Sequence, residues 1–491
     1  MRICRKFRGA KPTPPWGYRM PELHDLTALE QGALVAGGEL SPVVLVEHYL
    51  RRVEVLDDKV GAYITVAADS ALTRARRLQE QAAMSRRSGT PLPPLHGVPV
   101  PIKDSIRTAG VRTTYGSAVF ANHTPEEDDD VAARLADAGT VLLGKTNTPE
   151  FELSGHTENR VAPPARTPWA SDRSAGGSSG GAAAAVAAGL APIAHGSDSA
   201  GSVRGPASVC GLFGFKPSRG VVATGPTPWD VSGLSTSGAL SRTVRDGAAL
   251  LDAMIGPNRG TPAWQSDSSF LALTDHRPDR LRVGLITEPT VPGAKVHPDC
   301  RTAAEETAVL LAGLGHLVEL AELPTGASIA RAFPPVWTVL AASRLVPERD
   351  ESALMPLTRH VRRQGRDVSG VHLAEALRAF HAVDRAMDAL RARYDVLLTP
   401  TLAQPPQPVG ALRNEDDPPA EALATVLRSP FTALYNVTGQ PAASLPLYWT
   451  EDGLPVGVML ATAHGSDALL LSLSAQLEEA LPWNTRRPPL W

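Results

Sequence analysis

Residues 175–207 of this chain consist mainly of glycine, serine and alanine, and they hold the side chains best placed to do chemistry. They read AGGSSGGAAAAVAAGLAPIAHGSDSAGSVRGPA. The clustered glycines allow close backbone approaches that a Cβ atom would block, and the alanines that follow favour a helix. A tight loop leading into a buried helix N-terminus presents N–H groups and a positive dipole end, which stabilise negative charge. Serines in this loop are therefore candidates for reactive groups.

Other interpretations of this segment are weaker. A flexible Gly/Ser linker would not continue into an apolar run that is closely followed by Asp198 and Ser202. Gly177, Ser179 and Gly181 fit the G-x-S-x-G elbow of α/β-hydrolases, but that motif must follow an apolar strand, and the preceding residues TPWASDRSA are polar. The S-x-x-K chemistry of penicillin-binding proteins is excluded, because no lysine of the chain follows a serine at that spacing.

A base that activates a serine at neutral pH can be a lysine but not an arginine. Burial can lower the pKa of a lysine towards neutrality, whereas a guanidinium stays protonated. The chain has few lysines to choose from, at positions 6, 11, 59, 103, 145, 216 and 295. Lys103 ends the apolar run GVPVPIK, and Lys145 follows the apolar residues of LLGK. Residue patterns alone leave both open as the base.

Composition excludes several classes of protein. With 43% hydrophobic and 20% charged residues, the 491-residue chain can bury an ordinary globular core. A net charge of -3 argues against nucleic acid or an anionic membrane as partner. The cysteines Cys4, Cys210 and Cys300 form no C-x-x-C pair. With no apolar run of about 18 residues either, we expect a cytoplasmic protein without metal or cofactor.

The elements that must position these groups alternate between helix and strand. Helical spacing from Leu23 to about Glu80, with Ser41 and Pro42 at a helix start, predicts a helical layer. Apolar runs predict strands, and periodic stretches between them predict helices, which together indicate an α/β fold. The predicted strands are 98–102, 141–143, 281–286 and 396–398, and the helices lie near 131–138 and 300–314.

The chain reads as one domain with two peripheral parts. Residues 1–22 are basic and Pro-rich but lack the apolar run of a signal peptide, so we expect a disordered extension. Residues 23–491 form the single predicted domain. Within it, residues 330–430 combine Arg- and Ala-rich helices with a Pro-rich loop, and we expect them to form a cover near the active site.

Residues 176–207 resemble the Gly/Ser-rich signature of the amidase signature family along their whole length. Other segments look like the same family: HGVPVPIKDSI, AGTVLLGKTNTPEF, CGLFGFKPSRG, SRTVRD and FTALYNVTGQPAASLPL. The resemblance covers most of residues 23–481 and weakens between about 330 and 393. HGSDSAGSVR and CGLFGFKPSRG look most like the branch that contains 6-aminohexanoate-cyclic-dimer hydrolase and actinobacterial amidases. The resemblance to the family implies an α/β fold with a central mixed β-sheet and helices on both faces.

The resemblance also implies roles for individual residues. Ser202 becomes the nucleophile, Ser178 on a cis peptide bond the bridging serine, and Lys103 the base. Lys145 becomes structural, and Gly205 stands where a bulkier residue is usual, which predicts a wider acyl pocket. The backbone of Ser199, Ala200 and Gly201 would form the oxyanion hole with the N–H group of Ser202. The supporting residues would be Ser179, Asp198 and Arg204.

These roles predict an amidase that releases an acid and ammonia or an amine through an acyl-enzyme on Ser202. Its partner would be a small linear or cyclic amide, and the protein a monomer or homodimer. One alternative is the A subunit of glutaminyl-tRNA amidotransferase, but GLSTSGALSRTVRD departs from that subunit's usual SSLDQIGP-like wording. Another is a catalytically silent scaffold, against which the presence of Lys103, Ser178 and Ser202 argues.

Overall fold

The computed structural model describes residues 22–222, 225, 230–256, 269–289, 291–324 and 329–491. Almost all of the expected extension at residues 1–22 therefore lies outside the described residues. In the described ranges the α-helices are α1 (Ala28–Gly37), α2 (Pro42–Val60), α3 (Ala68–Ser88), α4 (Asp130–Asp137), α5 (Gly180–Ala187), α6 (Arg204–Cys210), α7 (Val244–Met254), α8 (Phe270–Leu273), α9 (Pro298–Gly313), α10 (Phe333–Ser343), α11 (Pro356–Arg366), α12 (Gly370–Ala386), α13 (Asp388–Arg393), α14 (Pro418–Arg428), α15 (Leu434–Val437) and α16 (Asp467–Ala480).

The strands of the same ranges belong to a large sheet and a small one. They are β1 (Tyr63–Val66), β2 (Ile102–Lys103), β3 (Gly144–Thr146), β4 (Ile193–Asp198), β5 (Phe213–Lys216), β6 (Thr236–Ser241), β7 (Arg282–Leu285), β8 (Leu317–Leu320), β9 (Val396–Pro400), β10 (Ala442–Trp449) and β11 (Pro455–Ala461). The large sheet has the order β4-β6-β5-β10-β11-β9-β7-β8. Pairing is antiparallel from β4 to β9 and parallel from β9 through β7 to β8. The sheet is therefore mixed, as the resemblance implied.

Helices cover both faces of this sheet because its strands are apolar on both sides. Phe213 and Phe215 of β5 point into the core that includes α7, α9 and α16. Leu240 of β6 and Ala194 of β4 belong to the opposite core, which includes α2, α3, α5 and α6. Gly214 lets α6 approach closely, since a Cβ atom there would lie 2.4 Å from the Cβ of Ala207. The α5–α6 side carries the Gly/Ser segment.

A small sheet positions the predicted lysines beside the large one. Its order is β1-β3-β2, with β2 and β3 parallel. In this register Ile102 pairs with Lys145, and Lys103 pairs with Thr146. Lys103 and Lys145 thus lie on neighbouring strands, but they are not paired with each other. Because successive residues of a strand point to opposite faces, the two lysine side chains need not contact the same groups.

The helical N-terminal layer predicted from the sequence is confirmed, with the short strand β1 inserted between α2 and α3. Ser41 caps α2, and its Oγ accepts a hydrogen bond from the N–H of Val43, while Pro42 occupies the first turn. The predicted strand at 98–102 is mostly wrong: the structure has only an isolated bridge at Pro99 and then β2. The proline-interrupted run cannot supply every N–H that a ladder needs.

The stretch expected to form a cover, residues 330–430, contains helices α10 to α14. It is not all peripheral, because β9 lies between β11 and β7 inside the large sheet. α10 packs on α11 and α12, and α11 packs on α14. Within the described ranges, no helix is both long and apolar enough to cross a bilayer.

Candidate active site

The Gly/Ser segment forms a buried loop followed by helix α5, as its composition predicted. Every residue of α5 is buried. Gly181 must lack a side chain, because a Cβ atom there would lie 2.3 Å from the backbone nitrogen of Asn147. The loop before the helix contains the cis peptide bond Gly177–Ser178, which the resemblance implied. Ser178 is buried at the end of this loop.

Lys103 and Ser178 are in direct contact. The ammonium nitrogen Nζ of Lys103 lies 2.7 Å from the Oγ of Ser178. Nζ also lies 2.8 Å from the Oγ of Ser197 and 3.4 Å from its carbonyl oxygen, both on β4. The Lys103 side chain is completely buried. The structure thus joins two of the three residues to which the resemblance gave catalytic roles.

Sequence reasoning missed Glu152, which contacts the same amine. Its Oε1 lies 2.8 Å from Nζ of Lys103 and accepts a hydrogen bond from Ser197. Its Oε2 lies 3.1 Å from Nη2 of Arg344, which follows α10. Glu152 comes directly after the quoted run AGTVLLGKTNTPEF, and its φ of 65° turns the chain sharply. Since acidic residues are mostly exposed, nothing in the sequence indicated that this carboxylate would face inward.

The environment of Lys103 weakens its hold on a proton. Complete burial lowers the pKa of Lys103, because desolvation disfavours the ammonium, and Arg344 adds to this effect. Glu152 acts in the opposite direction and raises the pKa of Lys103 without cancelling the effect of burial. Burial opposes ionisation of Glu152 too, but Lys103 and Arg344 outweigh it and lower its pKa to about 2. The net result is a lowered pKa of the Lys103 amine.

Ser202 lies on the turn between β4 and α6 and is half-buried. Its carbonyl oxygen accepts a hydrogen bond of 3.1 Å from the N–H of Ser179, so its backbone is tied to the loop that carries Ser178. Among the described residues, the Ser202 hydroxyl makes no hydrogen bond. Ser178 and Ser202 therefore belong to neighbouring, mutually bonded loops, with the Ser202 side chain left available.

Asp198 and Arg204 brace this turn rather than face the amine. The two side chains form a completely buried, two-pronged ion pair with distances of 2.8 and 3.0 Å. Burial raises the pKa of Asp198, but Arg204 outweighs it and holds that pKa well below its usual range. The Asp198 carboxylate also accepts hydrogen bonds from the N–H groups of Gly201 at 2.7 Å and Val203 at 3.0 Å. The pair therefore holds the turn by direct contacts with its backbone.

The bond to Asp198 affects the expected oxyanion hole. Because the N–H of Gly201 already donates to a carboxylate, it is directed into the turn. The N–H groups of Ser199, Ala200 and Ser202 donate to no atom within the described part of the chain. Of the four N–H groups expected in the oxyanion hole, Gly201 is thus occupied and the other three remain unbonded there.

The remaining candidates have structural environments. Ser179 donates its hydroxyl to the carbonyl oxygen of Ser197 at 3.1 Å, which ties the loop to β4. Lys145 donates to Ile106 O and, at 2.9 Å, to Thr113 Oγ1, and it lies 4.0 Å from Asp104. Lys145 therefore braces the loop after β2 and does not contact Ser178.

Comparison with known proteins finds relatives that match nearly the whole chain. The family model described as Amidase matches residues 44–471. The chain is 38% identical to the putative amidase AmiB2 of Mycobacterium tuberculosis, over 94% of this chain and 97% of the relative. It is 36% identical to 6-aminohexanoate-cyclic-dimer hydrolase of Pseudomonas sp., over 94% and 96% of the two chains. Identity this high over nearly full length shows common descent.

A solved structure extends the agreement to the fold. The structure of 6-aminohexanoate cyclic dimer hydrolase complexed with substrate matches with a TM-score of 0.87 at 33% identity, covering 95% of this chain and 99% of that one. The comparisons favour an amidase over the A subunit of glutaminyl-tRNA amidotransferase. The chain belongs to the amidase signature family, whose members hydrolyse carbon–nitrogen bonds of amides.

Proposed function

We propose that this amidase cleaves a small linear or cyclic amide through an acyl-enzyme on Ser202, with Ser178 as relay and Lys103 as base. The observation that carries the proposal is the 2.7 Å contact between Lys103 Nζ and Ser178 Oγ in a fully buried setting. A lysine becomes a base when desolvation lowers its pKa, and this side chain meets that requirement. The half-buried Ser202 supplies the accessible hydroxyl.

The reaction begins when the Ser202 oxygen attacks the amide carbon. The Ser202 proton passes to Ser178, and the proton of Ser178 passes to neutral Lys103. When the carbon–nitrogen bond breaks, the same path returns a proton to the departing nitrogen. Water then attacks the ester on Ser202, and the acid leaves. Catalytic hydrogen bonds often shorten only in the substrate complex, which accounts for the unbonded Ser202 hydroxyl.

Backbone N–H groups stabilise the oxyanion in this proposal. The donors are those of Ser199, Ala200 and Ser202, because Asp198 holds the N–H of Gly201. Removing one such donor from a hydrolase typically slows the reaction about 100- to 1000-fold. The Asp198–Arg204 pair contributes indirectly by fixing the turn from which these groups point.

The acyl side of the substrate lies towards Gly205 in this arrangement. A methyl group at Gly205 would lie 3.5 Å from Leu402 and 3.9 Å from the carbonyl oxygen of Gly177, both ordinary contacts. Gly205 therefore leaves room for one methyl group beside the loop of Ser178. We expect this room to widen the acyl pocket by about that amount.

Labelling with a fluorophosphonate tests the nucleophile. The wild-type protein and Ser202→Ala are incubated with the probe, digested and analysed by mass spectrometry. We expect one adduct, on Ser202, and none in the variant, whose amidase activity on a panel of linear and cyclic amides falls by at least about 1000-fold. Unchanged thermal unfolding of the variant serves as the folding control. An adduct on another residue, or labelling that survives the substitution, would refute the assignment.

A further inference from the structure

Glu152 lies between two cations that belong to different parts of the fold. One carboxylate oxygen contacts Lys103 of the small sheet at 2.8 Å. The other contacts Arg344, at the end of α10 in the cover, at 3.1 Å. All three side chains are buried or nearly so, with exposures of 0% for Lys103, 6% for Glu152 and 11% for Arg344. Charges this poorly solvated influence one another strongly.

The segment that carries Glu152 has an unusual backbone. Phe151 has a φ of 52° and Glu152 a φ of 65°, a region that residues with a side chain rarely adopt. The contacts of the side chains must therefore hold this conformation. Glu150, two residues earlier, points elsewhere: it accepts hydrogen bonds from Ser117 Oγ and from the N–H of Met355, each 2.7 Å long. Only Glu152 reaches the amine.

Arg344 is held in place from the cover. Its guanidinium carbon lies 5.3 Å from the ring centre of Phe151 and 5.9 Å from that of Tyr115. Its carbonyl oxygen accepts a hydrogen bond of 3.0 Å from buried Arg362 of α11, which also donates to Ala341 of α10. The position of Arg344 thus depends on the packing of α10 against α11.

Within the described ranges, few other charged groups act on Lys103. Asp198 acts on it from the end of β4 and favours the ammonium. His195 on β4 accepts a hydrogen bond of 3.4 Å from the Lys103 backbone N–H, and burial lowers the pKa of His195 to about 3, so it stays neutral. Glu152 and Arg344 are therefore the charged partners whose balance the cover can change.

We propose that Glu152 and Arg344 are positioning residues with opposite effects on Lys103, and that docking of the cover helix α10 makes the base competent. Glu152 holds the amine beside Ser178 and favours its charged form. Arg344 occupies the second oxygen of Glu152 and opposes that charge. When Arg344 leaves, Glu152 turns wholly to Lys103 and keeps it protonated. This inference rests on the proposed Ser202–Ser178–Lys103 chemistry.

The two residues predict opposite shifts in the pH dependence of the reaction. The base must be neutral, so the rate falls as the pH drops through the pKa of Lys103. Replacing Glu152 by glutamine removes an anion, lowers that pKa and moves the midpoint to lower pH. Replacing Arg344 by glutamine removes a cation, raises the pKa and moves the midpoint to higher pH. Both directions follow from the charges: the Glu152 carboxylate raises the pKa of Lys103, and the Arg344 guanidinium lowers it.

The experiment measures the rate of Ser202 labelling by a fluorophosphonate against pH, which needs no knowledge of the substrate. For Glu152→Gln we expect the acid-side midpoint to fall by about one unit or more, and for Arg344→Gln to rise by about half a unit or more. Arg344→Lys keeps the charge and should return the midpoint towards the wild-type value. Glu150→Gln is the matched control, since it removes a carboxylate of the same segment that does not face Lys103.

The outcomes separate this inference from the proposed function. If the wild-type protein is not labelled on Ser202, both the proposed function and this inference are rejected. Labelling on Ser202 with the same midpoint in all variants, or with both midpoints moving in one direction, overturns the roles of Glu152 and Arg344 alone. If Glu152→Gln does not fold, as judged by thermal unfolding, the comparison of Arg344→Gln with Arg344→Lys decides the question. A midpoint that stays at the wild-type value in Arg344→Gln then rejects the proposal.

Discussion

At the scale of single residues, a buried lysine becomes interesting only through what its amine touches. Lys103, Lys145 and Lys216 are all buried, and desolvation lowers the pKa of each, to about 8 for Lys145 and about 7 for Lys216. Lys216 donates to the carbonyl oxygen of Pro217, and Lys145 to the loop after β2. Lys103 alone of these three contacts the hydroxyl of Ser178. A lowered pKa is thus necessary for a base but does not identify it.

The buried ion pair of Asp198 and Arg204 leads to a prediction at this scale. Asp198→Asn leaves Arg204 as an uncompensated buried charge, which should cost about 3–5 kcal/mol of unfolding free energy. It should also reduce activity, because the turn of Ser202 loses its brace. Chemical denaturation at neutral pH measures the effect on stability.

The control for Asp198→Asn is an exposed pair. Arg277 and Glu479 lie 2.6 Å apart with exposures of 68% and 66%, and Glu479→Gln should change the unfolding free energy by less than about 1 kcal/mol. Because the pKa of Asp198 is lowered in the folded protein, the ion pair should stabilise the fold at every pH above about 3.9, the pKa of an unfolded aspartate. This stabilisation should be lost as the pH falls further. Equal losses of unfolding free energy in Asp198→Asn and Glu479→Gln would contradict the role of Asp198 in holding the turn.

At the scale of elements, the turn from β4 to α6 depends on a close approach by Thr432. Gly201 has a φ of 118°, and a Cβ atom there would lie 2.5 Å from Thr432 Oγ1. The same oxygen donates a hydrogen bond of 2.6 Å to the carbonyl oxygen of Ala200. The segment before α15 therefore holds the turn that carries Ser202. The turn and the segment with Thr432 must both be in place for the proposed oxyanion donors to point in the same direction.

Gly201→Ala should accordingly shift this turn. A displacement of about 1 Å at a catalytic group can reduce a rate about 100-fold, and we expect a loss of that order in amidase activity and in fluorophosphonate labelling. Gly453→Ala is the matched control, because Gly453 also has a positive φ, 78°, but has nothing within 4 Å of the added atom. The control should lose some thermal stability and keep its rate. A fully active Gly201→Ala would show that the turn tolerates movement.

At the scale of the whole molecule, the last part of the chain completes the centre of the sheet. β10 pairs with β5 on one side and β11 with β9 on the other, so residues 442–461 join the N-terminal strands to β9, β7 and β8. α16 then packs against α7 and α8. Because these contacts are so distant in sequence, we expect the fold to unfold as one cooperative unit.

Truncation after Ser429 tests this organisation. The deletion removes β10, β11 and α16, exposes the edges of β5 and β9, and should give protein without a cooperative thermal transition. Truncation after Ala480 is the control, since it leaves every strand of the described residues. It removes the core residue Trp483, whose Nε1 donates a hydrogen bond of 2.9 Å to Arg242 O, and the hydrogen bond of 2.8 Å from Trp491 to Asp25. The control should unfold cooperatively at a lower temperature. A cooperative transition in the longer deletion would argue for separable halves.

The sequence by itself determined the features that depend on local pattern. Helix α2, its cap at Ser41, the Gly/Ser loop and the apolar strand β9 could be predicted because periodicity, capping and glycine content act over a few residues. The long signature also led to the family. Residue types further reduced the candidates for a base to Lys103 and Lys145.

Only the tertiary structure decided which distant groups meet. That Lys103 contacts Ser178 and Lys145 does not depends on the register of β2 against β3 and on the loops that follow them. Glu152 and Arg344 are 192 positions apart, and no local pattern brings a carboxylate of one loop to the end of a cover helix. The pKa of Lys103 depends on its burial and on ions from distant parts of the chain. Desolvation and neighbouring ions act through space and not along the chain.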